Sequence, residues 1–265
     1  MPLSYRSLTA SLAHLVQRLN QIRNDMRFRS ANFQMDVTSM TGMVEKGGLI
    51  FVFTGEKPET TEIMVPDALM RDDVSRLNMV VRWACHWTRA MENMLDTPHL
   101  PFVHRGTIGG RMLRDMKRDS KLELLVSDRS HGFQLTWELD GVGAGMGGLQ
   151  WWNPNGMVLD ISPGGRLYRQ HIYCVPVSSC ETDMFVIATR DFGLYNPVFK
   201  LFDYFGNRRI IAEDKAVVES SEPSEIPPVA LERSVATDKP TLVFRNWYRQ
   251  HIERNGPKKS LPMMP

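Results

Sequence analysis

The stretch that decides the fold is LYRQHIYCVPVSSCETDMFVIAT, residues 167–189. Its two ends, Leu167–Val175 and Asp183–Thr189, are short segments rich in β-branched, aromatic and other apolar residues, and such segments predict strands. The link between them is too short for a helical crossover, so the two strands are expected to pair antiparallel.

Similar segments occur on the N-terminal side, and helical patterns flank the whole set. Further strands are predicted at Leu49–Phe53, Thr61–Val65, Met79–Trp87, Leu122–Ser127, Gly132–Leu139, Leu149–Trp152 and Met157–Ile161. Helices are predicted at residues 88–95, 196–220 and 242–253, with a Pro-, Ser- and Glu-rich connection over residues 221–239. Apolar residues of the long helix are expected to close the core: Val198, Phe202, Phe205, Ile210 and Val217. The predicted fold class is α+β, with an antiparallel sheet and a long C-terminal helix.

The N-terminal segment has its own apolar pattern. Residues spaced alternately by four and three form one stripe of a helix predicted over residues 7–24: Leu8, Leu12, Leu15, Leu19 and Ile22. Such a stripe must be covered, either by the body of this chain or by a partner subunit.

Composition excludes several classes of protein. With 265 residues and 42% hydrophobic content, the chain can bury one main core. The net charge of +2 is spread without a basic stripe, so nucleic acid is not an expected partner. No apolar run suits a membrane span or a signal peptide, and we therefore expect a cytoplasmic protein. The three cysteines are expected to be buried, reduced thiols.

The residues that carry chemistry lie in ENMLDTPHLPFVH, residues 92–104. His99 and His104 are five positions apart, and on an unbroken helix they would diverge by about 140°. Pro98 and Pro101 break the helix, which lets both rings turn toward one point. Two imidazoles and one carboxylate on one face of a metal suit iron(II), although zinc accepts the same set.

The pattern E-N-x-x-D-x-x-H-x-x-x-x-H, followed by Arg-Gly-Thr-Ile-Gly at residues 105–109, resembles the iron motif of the Rieske non-heme iron oxygenases. The stretch EDKAVVE at residues 213–219 is similar to a segment of their O- and N-demethylase branch. The resemblance implies that His99, His104 and Asp214 bind Fe(2+). It also implies a helix-grip, START-like catalytic domain, in which the sheet wraps around the long C-terminal helix.

The same resemblance implies further roles. Asp96 is expected to hydrogen-bond His99 and to conduct electrons, and the short spacing from Asn93 to Asp96 favours monooxygenation or demethylation over dihydroxylation. The implied reaction is oxidative N-demethylation of a purine, with 7-methylxanthine of bacterial caffeine degradation as the expected substrate and formaldehyde as a product. Phe202, Phe205 and Asn207 are candidate substrate-binding residues on the helix before Asp214, although aromatic residues there are more often core.

The Rieske cluster itself has no motif in this sequence. Neither C-x-H nor C-x-x-H occurs, whereas residues 44–55 resemble the last strand of a Rieske domain. The expected organisation is an N-terminal helix and lead-in at 1–43, the end of a Rieske domain at 44–66, the iron domain at 67–240, and a helix with tail at 241–265. Electrons from NADH are then expected through the [2Fe-2S] cluster of a partner reductase. Other oxygenase subunits are further candidate partners.

Three alternatives stay open at this point. The substrate can be another small aromatic compound that is O-demethylated or hydroxylated. The chain can be a non-catalytic structural subunit of a heteromeric oxygenase. A zinc hydrolase is less favoured, because the sequence shows no general base near the histidines.

The glycine-rich run at residues 141–148 is expected to be a loop and not a phosphate cradle, because a strand and not a helix follows it.

Overall fold

The computed structural model describes residues 43–52, 63–143 and 148–253. Its contacts divide the chain into two compact units, Met1–Ile63 and Met64–Pro265. The leucine stripe predicted over residues 7–24 lies outside the described residues.

The described part of the first unit is a β-hairpin. Strand β1 (Met43–Lys46) pairs antiparallel with β2 (Leu49–Val52). The two glycines between them, Gly47 and Gly48, have positive φ angles of 60° and 74°, which a two-residue hairpin turn requires. The strand predicted at Thr61–Val65 is wrong for the part that is described, since residues 63–65 form no regular structure.

The second unit is built on one large antiparallel sheet. Its strands are β3 (Ser75–Trp83), β4 (Leu122–Arg129), β5 (Gly132–Leu139), β6 (Val142–Gly143), β7 (Gly148–Trp152), β8 (Gly156–Asp160), β9 (Tyr168–Pro176) and β10 (Thr182–Arg190). They lie in the order β3-β10-β9-β8-β7-β5-β4, and β6 pairs with β5. Every pairing is antiparallel, which confirms the predicted α+β class.

Five helices accompany this sheet within the described residues. They are α1 (Trp87–Leu95), α2 (Leu100–Val103), α3 (Gly110–Asp115), α4 (Pro197–Glu219) and α5 (Lys239–Tyr248), which continues as a π-helical turn over Arg249–Glu253. Single turns of 3-10 helix occur at Asp67–Met70, Pro163–Gly165, Val229–Leu231 and Ala236–Asp238. None of the helices in the described ranges is both long and apolar enough to cross a membrane.

Helix α4 buries a different set of residues from the set that the sequence predicts. It begins at Asn196, whose side chain accepts a hydrogen bond from Val198 N at 2.9 Å, and Pro197 follows. The buried stripe has spacings of four, three and four and consists of Asn207, Ile211, Asp214 and Val218. The expectation that Val198, Phe202, Phe205 and Val217 close the core is wrong, because these side chains lie on the exposed side of the helix. The stripe that faces inward is partly polar, and it carries Asp214 into the interior.

The core lies between one face of the sheet and helices α1, α4 and α5. Alternate residues of β5, namely Phe133, Leu135 and Trp137, are buried, as expected for a strand with one covered face. Phe244 of α5 packs edge-on against Trp151 of β7, with ring centroids 5.8 Å apart. Burial of these large side chains holds α1, and therefore the segment that follows it, against the sheet.

The cysteines agree with the prediction in part. Cys85 and Cys174 are buried free thiols, and burial raises the pKa of Cys85 to about 11. Cys180 is also free, but it is exposed because it lies in the turn between β9 and β10.

Candidate metal centre

The two histidines flank a single helical turn. Helix α1 ends at Leu95, and α2 then forms between His99 and His104. Val103 N donates to His99 O at 2.9 Å, and His104 N donates to Leu100 O at 3.1 Å. The break between α1 and α2 turns the two rings toward each other, with centroids 5.2 Å apart.

Helix α4 brings the third group to these rings from far along the chain. Asp214 Oδ1 lies 2.9 Å from His104 Nε2 and 3.4 Å from His99 Nε2. One potential ligand atom from each of the three residues lies within 4.8 Å of the others. The sequence-predicted set therefore converges on one point.

A second carboxylate holds the far nitrogen of each ring. His99 Nδ1 lies 3.2 Å from Asp96 Oδ2, and His104 Nδ1 lies 2.9 Å from Glu213 Oε2. A carboxylate only accepts hydrogen bonds, so the proton of a neutral ring belongs on Nδ1 and the lone pair on Nε2. Both rings thus present Nε2 to Asp214.

This arrangement fits a bound cation. Two Nε2 lone pairs and a carboxylate oxygen face one another, and they repel unless a cation lies among them or the rings take up protons. His104 and Asp214 are 1% and 3% exposed, so water cannot relieve that repulsion. Two neutral imidazoles and one carboxylate are also ligands that iron(II) accepts, with further positions left open.

The pKa values of His99 and Asp214 also indicate that positive charge is favoured at this point. Burial opposes protonation of His99, but hydrogen bonds to Asp214 and Asp96 outweigh it and raise its pKa to about 9. Burial likewise opposes ionisation of Asp214, yet His104 and His99 hold its pKa down at about 2. The carboxylate is therefore ionised at neutral pH and ready to bind a cation.

Apart from Asp96, the residues that support this centre were not predicted from the sequence. Glu213 Oε2 also accepts a hydrogen bond from Thr107 Oγ1 at 2.8 Å, and Arg209 Nε donates to Glu213 Oε1 at 3.1 Å. Asn93 Nδ2 donates to Asp214 Oδ1 at 3.0 Å. Asn93, Thr107 and Glu213 all lie within the quoted motif segments, and this proximity was the available signal.

Glu213→Ala is expected to weaken metal binding by about 10- to 100-fold, because His104 loses the acceptor that fixes its orientation. Glu213→Gln should fall between wild type and Glu213→Ala, since the amide oxygen can still accept from Nδ1. Competition for Fe(II) with a chelator under anaerobic conditions measures the affinity. Arg209→Ala, which removes only the partner on the far oxygen, is the matched control and should lose less. An unchanged affinity in Glu213→Ala would show that Glu213 does not support the ligand.

A small cavity adjoins the metal centre. Its volume is about 30 Å³, which is room for about one water-sized group, so a bicyclic substrate requires side chains to move apart. The wall away from the histidines is mainly apolar: Trp137, Leu149, Met157, Leu159, Ile172 and Ile210. Among the described residues, Thr97 and Gln170 are the polar lining residues that form no side-chain hydrogen bond or ion pair with the three candidate ligands.

The three predicted substrate-binding residues take different positions. Asn207 is buried and bonds to Gln170 of the cavity wall at 2.5 Å. Phe202 and Phe205 are 73% and 59% exposed and are not among the residues that line the cavity. The side chains of the two phenylalanines lie at the surface, since they face away from the buried stripe of α4.

Asp96 lies between this cavity and a larger cleft at the surface. The cleft has a volume of about 370 Å³, and it is bounded by α1, the end of α4, α5 and the connection between α4 and α5. Asp96 lines both spaces, and its side chain is 37% exposed. Glu92 and Arg245 join α1 to α5 along the cleft at 2.5 Å. The carboxylate that holds His99 is thus reachable from outside.

Residues 83–146 match a family profile described as the vanillate O-demethylase oxygenase C-terminal domain. Methylxanthine N1-demethylase NdmA of Pseudomonas putida is 26% identical in an alignment 220 residues long, which covers 78% of this chain and 59% of that protein. The chain thus spans less than two thirds of the length of that relative.

Solved structures with the same fold were also found. NdmA of Pseudomonas putida CBB5 has a TM-score of 0.61 at 25% identity, over 78% of this chain and 58% of that chain. NdmB of the same organism has a TM-score of 0.61 at 21% identity, over 78% and 59%. Dicamba monooxygenase bound to dicamba has a TM-score of 0.60 at 16% identity, over 78% and 68%. The last two likenesses show the fold alone.

Proposed function

We propose, on the premise that the chain carries a Rieske-type oxygenase catalytic domain, that it is the oxygenase part of an oxidative N-demethylase and binds one iron(II) ion. The observation that carries the proposal is the convergence of His99, His104 and Asp214 with Nδ1 of each ring held by a carboxylate. Iron(II), when bound, supplies the activation of dioxygen.

The residues of the chain have distinct tasks in this proposal. His99, His104 and Asp214 hold the ion, and Asp96 and Glu213 orient the two rings. The apolar wall of the cavity excludes water and receives a flat, largely apolar substrate. Hydroxylation of an N-methyl carbon consumes one O₂, two electrons and two protons and releases water. The resulting carbinolamine then loses formaldehyde and leaves the N–H form.

A methylxanthine is the proposed substrate, with 7-methylxanthine as the specific candidate and xanthine as its product. The resemblance to methylxanthine N1-demethylase NdmA supports this class of substrate. The vanillate O-demethylase profile supports O-demethylation of a small aromatic compound as the second candidate.

Electrons are proposed to come from NADH through a partner reductase that carries a Rieske [2Fe-2S] cluster. The surface cleft beside Asp96 supports this proposal, because it gives a partner protein access to the carboxylate that bonds His99 Nδ1. The same partner would have to act where NADH is available, which suits the cytoplasm.

The proposal is tested by reconstitution with Fe(II), NADH and a reductase that carries a Rieske domain. Formaldehyde and xanthine are expected to form in equal amounts from 7-methylxanthine, and a form with Asp214→Asn serves as the inactive control. Formaldehyde that forms from vanillate but not from 7-methylxanthine would favour the O-demethylase candidate. If neither 7-methylxanthine nor vanillate gives product while iron is bound and the reductase is active, the oxygenase function is contradicted.

A further inference from the structure

We infer that Gln170 is a specificity-determining residue, whose side-chain carbonyl accepts a hydrogen bond from a ring N–H of the substrate. This inference rests on the proposed function and adds a recognition element to it. Gln170 lies on β9, is 2% exposed and lines the cavity beside the metal centre. Its neighbours along that wall, Leu159 and Ile172, are apolar.

A hydrogen-bond chain fixes the orientation of its amide. Asn207 Nδ2 donates to Asp203 O at 2.7 Å and to Tyr168 Oη at 3.2 Å, which uses both of its protons. Only Asn207 Oδ1 is then left for Gln170, so Gln170 must present its NH₂ group there, at 2.5 Å. Arg190 Nε donates to Asp203 Oδ2 at 2.5 Å and anchors the start of this chain of contacts.

The consequence is an acceptor without a partner in the cavity wall. Among the described residues, none donates a hydrogen bond to Gln170 Oε1. A carbonyl that lines a largely apolar cavity is stabilised when a donor bound in that cavity reaches it. A ring N–H of a xanthine supplies such a donor, whereas a methylated ring nitrogen at the same place does not. The cavity therefore favours substrates that have already lost a methyl group.

Asn207 acts through Gln170 in this scheme and is a positioning residue. Its amide groups are taken up by Tyr168, Asp203 and Gln170, so it does not itself have a proton to offer to a substrate. Without Asn207 the amide of Gln170 can rotate and present its NH₂ group to the cavity.

The test is equilibrium binding of 7-methylxanthine, which has free ring N–H groups, and of caffeine, which has none. The iron-loaded protein is titrated anaerobically without reductase, and binding is followed by calorimetry or by quenching of tryptophan fluorescence, since Trp137 lines the cavity. Wild type is expected to prefer 7-methylxanthine by about tenfold or more, because a site built around a hydrogen bond rejects analogues that lack the donor. Gln170→Leu should reduce this preference to about threefold or less.

Two further variants separate recognition from folding. Gln150→Leu changes a half-buried glutamine of strand β7, which β8 separates from β9, and this residue does not line the cavity, so the variant should keep the wild-type preference. Asn207→Leu should reduce the preference while iron content stays unchanged. Equal binding of both purines by wild type, or a full preference in Gln170→Leu, would overturn the role of Gln170 without contradicting the proposed function. Binding of neither purine by iron-loaded wild type would instead contradict the methylxanthine part of the proposed function.

Discussion

Replacing Asp214 by Asn is expected to lower iron affinity by more than about 100-fold, which exceeds the usual effect of losing a residue that only supports a ligand. The amide keeps the shape of the carboxylate but removes the negative charge between His99 and His104. The two Nε2 lone pairs then lose the anionic partner that makes this point favourable for a cation. Iron per chain after anaerobic loading and desalting, measured by mass spectrometry, gives the result.

The control for this substitution is Asp119→Asn, at an exposed carboxylate in the turn before β4. It should bind iron as wild type does. Circular dichroism is needed for both variants, so that loss of metal is not confused with loss of the fold. Wild-type iron content in a folded Asp214→Asn protein would rule out Asp214 as a ligand.

The strands were largely predictable because their side chains alternate between a covered and an open face. Phe133, Leu135 and Trp137 in β5 show this period directly, and the links between strands limit them to antiparallel pairing. The sheet order was not predictable, since β3 pairs with β10 across the whole length of the domain. Such pairing depends on tertiary packing and not on any local pattern.

Helix α4 shows why a hydrophobic pattern can mislead. Phe202 and Phe205 are two of the large apolar residues of its N-terminal half, and the sequence therefore favours them as core or pocket residues. The stripe that is buried contains Asn207 and Asp214 instead, because these polar groups find partners in Gln170 and the two histidines. Satisfied polar contacts, which a sequence does not reveal, set the rotation of this helix.

The three candidate ligands were predicted by motif, whereas the group that supports His104 was not. Glu213 directly precedes Asp214, so the two side chains differ by about 100° around the helix axis. Only the packing of α4 against α2 shows that Asp214 meets Nε2 and Glu213 meets Nδ1 of the same ring. A helix that passes beside the ring can reach both nitrogens with neighbouring residues.

Asp96→Ala is expected to leave iron bound while turnover driven by the partner reductase falls by about 100-fold or more. Asp96 contacts His99 through Nδ1 and not through the face turned to the metal, so the ligand set itself stays intact. Its carboxylate is also the group that lies between the cavity and the surface cleft. Loss of such a supporting carboxylate alone accounts for a 10- to 100-fold effect, and the proposed role in electron entry adds to it.

Two measurements separate these contributions. Product formed with hydrogen peroxide, which replaces O₂ and the two electrons together and is reduced to water, should fall by only about 10- to 100-fold, because the partner is bypassed and only the orienting role of Asp96 is lost. Steady-state NADH oxidation with the Rieske reductase should show the full loss. Glu222→Ala, at an exposed carboxylate of the same cleft that does not contact His99, is the matched control and should keep most of the partner-driven rate. An equal loss in both assays would make Asp96 an orienting residue only. Full partner-driven activity in Asp96→Ala would place the entry of electrons elsewhere on the domain.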